Sequence, residues 1–229
     1  MFRTAVVSID QAAPVGPQIY DTLRERIIRN ALEPSARVSE AEIAAAFGVS
    51  RQPVREAFIK LAEEGLVEIR PQRGTYITRI STAAVMDARF VREAVEADIV
   101  RLLAQSRDDA LIAMLQSQLA AQRACPEQDA DRFIQLDEQF HRTLAEACGK
   151  GQIWRVVEGL KAQMDRVRYL NLLSRLPKQA LLTQHEAIMR AIADRDEAAA
   201  EAAMRNHLRQ ILDELPQIAA AHPEYFEAS

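Results

Sequence analysis

Thirty-six residues, Ser39 to Gly74, constrain this chain more than any other stretch: SEAEIAAAFGVSRQPVREAFIKLAEEGLVEIRPQRG. Ser39-x-x-Glu42 has the spacing of a capping box, in which a hydroxyl and a carboxylate satisfy the free N–H groups at a helix start. Ile43, Ala46 and Phe47 then form one apolar face, and Gly48 suits the left-handed residue that stops the helix. Ser50 stands where a second cap belongs, and Pro53 falls in the next first turn, where a missing N–H costs little. Val54, Ala57, Phe58 and Leu61 make a second apolar stripe, while Arg51 and Arg55, four apart, share another face near the helix entrance. After Gly65, Leu66 to Arg70 and Thr75 to Thr78 read as strands joined by Pro71-Gln72-Arg73-Gly74. Two short helices and an arginine-bearing hairpin are too small for an enzyme core. They match a winged helix-turn-helix, whose second helix enters the DNA major groove. The expected DNA-facing set is Arg37, Ser50, Arg51, Gln52, Arg55, Arg73 and Gly74, with Arg37 meeting a phosphate and Arg73 at the tip of the wing.

At 229 residues the chain has room for a second domain beside this one. Residues 1–80 hold 11 Lys+Arg against 10 Asp+Glu, and the remainder 18 against 23, so only the first part suits a polyanion. No stretch approaches the ~20 apolar residues of a membrane span. Ser8, Asp10 and Gln11 interrupt any signal-peptide core at the start. Cys125 and Cys148 form no C-x-x-C pair and fit a reducing cytoplasm. The expected organisation is a tail over 1–16, a winged helix-turn-helix of three helices and a small β-hairpin over 17–80, a helical domain over 81–215, and a tail over 216–229. The spacing predicts helices over 82–105, 108–123, 128–148, 151–171, 177–194 and 196–214, with breaks at Ser106, Cys125-Pro126, Gly149 to Gly151, Pro177 and Asp194 to Asp196. Short connections between them suit an antiparallel six-helix bundle, so the fold class is mainly α.

A helical wheel of 128–148 places Phe133, Leu136, Phe140, Leu144 and Ala147 on one face, with Arg132, Gln135, Glu138, Gln139, Arg142 and Glu146 opposite. Asp137 and His141 fall inside the apolar arc. His185 lies within the stripe of Leu181, Leu182, Ile188, Met189 and Ile192, and His207 flanks that of Ala200, Met204, Ile211 and Leu215. Taken singly, each could be a core residue satisfied by a neighbour. Together, a buried carboxylate and three imidazoles need an organising partner. One Asp and three His suit a divalent transition metal, Zn²⁺ first, Ni²⁺ or Mn²⁺ next, with positions left for another ligand.

The chain resembles the GntR family of transcriptional regulators, FadR subfamily. The DNA part does so through SEAEIAAAFGVSRQPVREAFIKLAEEGLVEIRPQRGTYIT, and the helical part through VREAVEADIVRLLA, Asp137-x-x-Phe140-His141, His185 and His207. Six helices point to its shorter, VanR-like branch. The resemblance implies a cytoplasmic homodimer, usually a repressor, on an inverted repeat of the form TNGT…ACNA in double-stranded DNA. It also implies a metal on Asp137, His141, His185 and His207 beneath a pocket for a small organic acid. Some relatives carry an arginine where Ala41 stands here, which removes one expected DNA contact. Arg92, with Glu96 one turn on, reads either as an internal ion pair or as a bidentate clamp for the effector's carboxylate, and Arg89 as a weaker version. Two other functions compete with the ligand-controlled regulator. In one, the metal itself is the signal. In the other, a metal-dependent hydrolase is fused to a DNA-binding module. Against the hydrolase, no inward Glu or Ser/His pair with a base's spacing accompanies the donors.

Overall fold

The computed structural model describes residues 9–10, 12–106, 108–174 and 178–228. Most of the expected N-terminal tail, and the expected break at Pro177, lie outside them. The chain divides into two compact units. The first holds residues 1–84, 162–170 and 219–229, and the second 85–161 and 171–218.

In the first unit, α1 (Val15–Ile28) buries Ile19, Leu23, Ile27 and Ile28. Then come β1 (Arg37–Val38), α2 (Glu40–Phe47), α3 (Arg51–Glu63), β2 (Val67–Arg70) and β3 (Gly74–Ile77). The Ser39 side chain accepts from the Glu42 N–H, and Gly48 ends α2 at φ 66°, a left-handed conformation that a Cβ disfavours. Ser50 occupies the N-cap of α3 without making a side-chain cap bond, contrary to the capping role expected for it. Ile43, Val54, Phe58, Leu61, Leu66 and Ile77 are at most 2% exposed and fill the core. Burying such a side chain is worth about 1.5–3 kcal/mol, which is what holds helices this short in place.

The expected two-stranded hairpin is a three-stranded antiparallel sheet, ordered β1-β3-β2. Arg37 pairs with Tyr76 and Val38 with Thr75, so the residues just before α2 become an edge strand. Two further segments join this unit. Ala162 lies in its core, Gln163 donates to the Gly65 carbonyl at 2.9 Å, and Asn30 donates to the Arg166 carbonyl at 2.9 Å. Near the C-terminus, the Ile80 N–H donates to the Tyr225 carbonyl and that of Glu227 to Ile80, with Phe226 buried.

In the second unit lie most of α4 (Thr82–Leu103), α5 (Asp109–Ala124), α6 (Ala130–Ala147), α7 (Gly151–Leu160) and α9 (Lys178–Ala193). It also holds the end of α8 (Ala162–Ser174) and residues up to 218 of α10 (Glu197–Ala221). Asp108 and Asp129 cap α5 and α6 by accepting first-turn N–H groups. Val100, Leu115, Phe140, Leu144, Ile188 and Met204 stand at the centre of the core.

Two expectations are corrected. The helix expected over 151–171 breaks at Lys161, whose buried amine pairs with Glu138 at 2.7 Å, so the six expected helices are seven among the described residues. The count on which the shorter branch was read changes with it. The helix expected to stop at 214 runs through Pro216 to Ala221, because Leu215 and Ile218 on either side are buried, and the segment expected as a tail is ordered instead. Among the described residues, no helix is long and apolar enough to cross a membrane.

Candidate functional site

Helix α6 carries Asp137 and His141 one turn apart on its buried face, α9 contributes His185, and α10 contributes His207. One ligand atom from each lies within 4.8 Å of all the others, and all four residues are buried. The expected set is therefore brought together. His141 Nε2 stands 3.1 Å from His207 Nε2, and His185 Nε2 3.5 Å from Asp137 Oδ1.

The opposite edge of each ring explains why the Nε2 atoms converge. His141 Nδ1 meets Glu96 Oε2 at 2.5 Å, His185 Nδ1 meets Gln122 Oε1 at 2.9 Å, and His207 Nδ1 meets Gln184 Oε1 at 2.8 Å. Gln122 donates its own amide to the Leu136 carbonyl, which leaves its oxygen for His185. A ring nitrogen facing an acceptor oxygen carries a proton, and in the neutral ring Nε2 then presents its lone pair. Two such lone pairs 3.1 Å apart would repel, and a cation between them would relieve that repulsion. Burial, then the neighbouring His185 and His141, push the pKa of His207 well below its usual value, which keeps that ring neutral. Phe140 stacks on His185 at 4.5 Å between ring centroids, and Trp154 lies parallel to His141 at 6.3 Å. Three imidazoles and a carboxylate, the rings held from behind by acceptors, fit a divalent transition metal.

Arg92 Nε donates to Glu96 Oε1 at 2.6 Å, and both residues are buried. Glu96 thus spends both oxygens, one on Arg92 and one on His141, and orients the imidazole. Burial alone would raise its carboxyl, but Arg92 and His141 outweigh that and hold it at about 2. Arg89 lies outside this arrangement: it pairs with Glu93 at 2.5 Å, and Arg205 and Arg209 bind the same carboxylate. Gln122 and Gln184 were not foreseen. They sit 63 and 23 residues from the histidines they hold, and only the packed helices bring them together.

In the first unit, Arg51, Gln52 and Arg55 are exposed on the first two turns of α3. Gln52 donates to Glu56 at 3.0 Å. Arg55 Nε and Nη2 donate to the two oxygens of Glu40 at 3.1 and 3.0 Å, a partner the sequence reading missed. At the wing, Gly74 adopts φ 109°, and a Cβ there would lie 2.8 Å from Arg37 Nε, so the arginine packs over the glycine. Arg73 is exposed in the turn, and its carbonyl accepts from the Tyr76 hydroxyl at 3.1 Å.

Residues 16–77 match the family described as bacterial regulatory proteins, gntR family, and residues 87–210 match the FCD domain. The HTH-type transcriptional repressor RspR of Escherichia coli strain K12 is 40% identical over 224 residues, covering 97% of this chain and 98% of its own. The gluconate operon transcriptional repressor of Bacillus subtilis strain 168 is 26% identical over 212 residues, covering 90% and 87%. The structure of E. coli McbR/YncC superposes with a TM-score of 0.75 at 19% identity, covering 90% of this chain and 98% of that one.

Proposed function

Since the chain belongs to the GntR family of bacterial regulatory proteins and carries an FCD domain, it is a DNA-binding transcriptional regulator and not an enzyme, and we propose that it is a cytoplasmic repressor whose hold on its operator is set by a small organic acid at a divalent metal site. The observation that carries this reading is the convergence of three Nε2 atoms and the Asp137 carboxylate, each ring backed by an acceptor on Nδ1. Asp137, His141, His185 and His207 would hold the ion, with zinc favoured by the donor set and nickel or manganese compatible with it. An ion there supplies a buried positive charge toward which a carboxylate is drawn. Arg92, paired with Glu96 beside His141, is the candidate clamp for the acid's second polar group. The name of the B. subtilis relative makes sugar acids the first class of effector to try.

Repression supplies the rest of the mechanism. Arg51, Gln52 and Arg55 would read base edges, with Ser50 at the entrance of α3, while Arg37 and Arg73 meet phosphates around Gly74. The protein would act as a homodimer on an inverted repeat, because two reading helices match half-sites about one helical turn apart. Exposed apolar side chains support a partner of the same kind: Met86 and Phe90 lie one turn apart on α4, and Ile153, Val156 and Leu160 at helical spacing on α7. Effector binding would favour a dimer arrangement that no longer fits both half-sites.

Operator binding measured with zinc-loaded protein, with chelated protein, and with each plus gluconate tests this reading. Control by an organic acid predicts that gluconate or a related sugar acid weakens binding only in the zinc-loaded protein. A change with zinc alone, indifferent to every carboxylate tried, would make the ion the signal instead.

A further inference from the structure

Helix α2 places Glu40 at its first position, and α3 carries Arg55 on its exposed face. Their side chains meet in a fork: Arg55 Nε donates to one Glu40 oxygen at 3.1 Å and Nη2 to the other at 3.0 Å. Both groups stay in solvent, Arg55 56% and Glu40 30% exposed, so burial does not force the contact. An exposed pair of this kind contributes little to stability, and its position on the reading surface is what needs explaining. The Arg55 hydrogen bond, and to a lesser degree the charge of Arg51, hold the Glu40 carboxyl below its usual range, so it is a full negative charge between the two reading arginines.

We propose that Glu40 is a specificity-determining positioning residue, which locks the Arg55 guanidinium edge-on for a guanine and cancels its attraction for phosphates met at random. This rests on the reading of Arg55 as a base-contacting residue. A guanidinium has five N–H groups. Glu40 takes the Nε hydrogen and one of the Nη2 hydrogens, which leaves the Nη1 and Nη2 edge free. That edge has the spacing to donate to O6 and N7 of a guanine. Without the carboxylate, Arg55 is a flexible cation that gains as much from any phosphate as from the right base, and non-specific affinity grows at the expense of discrimination.

The test compares the wild type with Glu40→Gln, Glu40→Ala, Arg55→Ala and the Glu40→Ala, Arg55→Ala double variant. The probes are a duplex recovered by in vitro selection from a randomised pool with wild-type protein, and a scrambled duplex of the same composition. The readout is the ratio of the two affinities at fixed salt, with far-UV circular dichroism confirming the fold. Arg55→Ala should lower the ratio about tenfold or more. Glu40→Ala should lower it roughly fivefold, largely by tightening the scrambled duplex, with Glu40→Gln in between because one acceptor remains. In the double variant, loss of Glu40 should add nothing to loss of Arg55. A ratio unchanged in Glu40→Ala while Arg55→Ala collapses it overturns the proposal and leaves Arg55 a reader. An equal fall with Arg55 already absent also overturns it, since Glu40 then acts on its own. An unchanged ratio in Arg55→Ala removes the base-reading role and the proposal with it.

Discussion

The two units solve opposite problems with the same kinds of residue. In the first, polar chemistry faces outward: Arg51, Gln52 and Arg55 are exposed on a helix whose other side, with Val54, Ala57, Phe58 and Leu61, is core. In the second it faces inward. Asp137, His141, His185, His207, Glu96 and Arg92 are all buried, and every one leans on another. A charged group in water carries little obligation, whereas one removed from water must find its partners or lose several kcal/mol. Substitutions should therefore act on DNA recognition in the first unit and on folding and ligand binding in the second.

The largest expected effect is in the bundle. Glu96→Ala removes the buried carboxylate that Arg92 and His141 share, so urea denaturation should show a loss of about 3–5 kcal/mol. Glu96→Gln, which keeps an acceptor, should cost less. Acid should expose the same dependence. The Glu96 carboxyl is held at about 2 against an ordinary 4.5, so its stabilising contribution is complete above 4.5 and lost as pH falls through that window. The Glu93 carboxyl, held at about 2 first by Arg209, with Arg205 and Arg89 adding to it against the opposing effect of burial, falls in the same window. A stability profile of Glu96→Gln should be flatter than that of wild type between those pH values. An equally steep profile would assign the acid sensitivity to other groups.

Next comes the reading helix. Arg55→Ala should weaken operator binding by about tenfold or more, with circular dichroism and denaturation midpoint unchanged. A comparable loss of stability would break the contrast between the units. The smallest effect falls at the wing, where Gly74→Ala puts a Cβ against Arg37 and an L-residue at positive φ. The Arg37 side chain can swing aside, so the loss of stability should be about 1 kcal/mol. Operator affinity should fall with it, as measured by a filter-binding titration.

The contrast also governs what was legible in the chain. The first unit is written in local signals: Ser39 and Glu42 three apart, Gly48 at a left-handed stop, Pro53 inside a first turn. Helical periodicity likewise turned Asp137, His141, His185 and His207 inward. What periodicity cannot supply is the partner across the bundle. Glu96 lies 45 residues from His141 and Gln122 lies 63 from His185, so the acceptors that aim the rings emerge only on packing. The Glu40–Arg55 fork, 15 residues apart across the turn, was hidden for the same reason. The break at Lys161 and the helix through Pro216 escaped because tertiary contacts overrode local preference. The amine of Lys161 is drawn to Glu138 on α6, and buried Leu215 and Ile218 carry α10 past its proline.

Metal content decides whether the inward chemistry of the second unit serves a divalent ion. Wild-type protein and the His141→Ala, His185→Ala double variant, each dialysed against zinc and then against buffer, are compared by elemental analysis per subunit. One ion per wild-type subunit and none in the variant is expected, with operator-sized DNA still bound by both. Equal metal content in the two proteins would contradict it, and the histidines would then be core residues satisfied by their glutamine and glutamate partners alone.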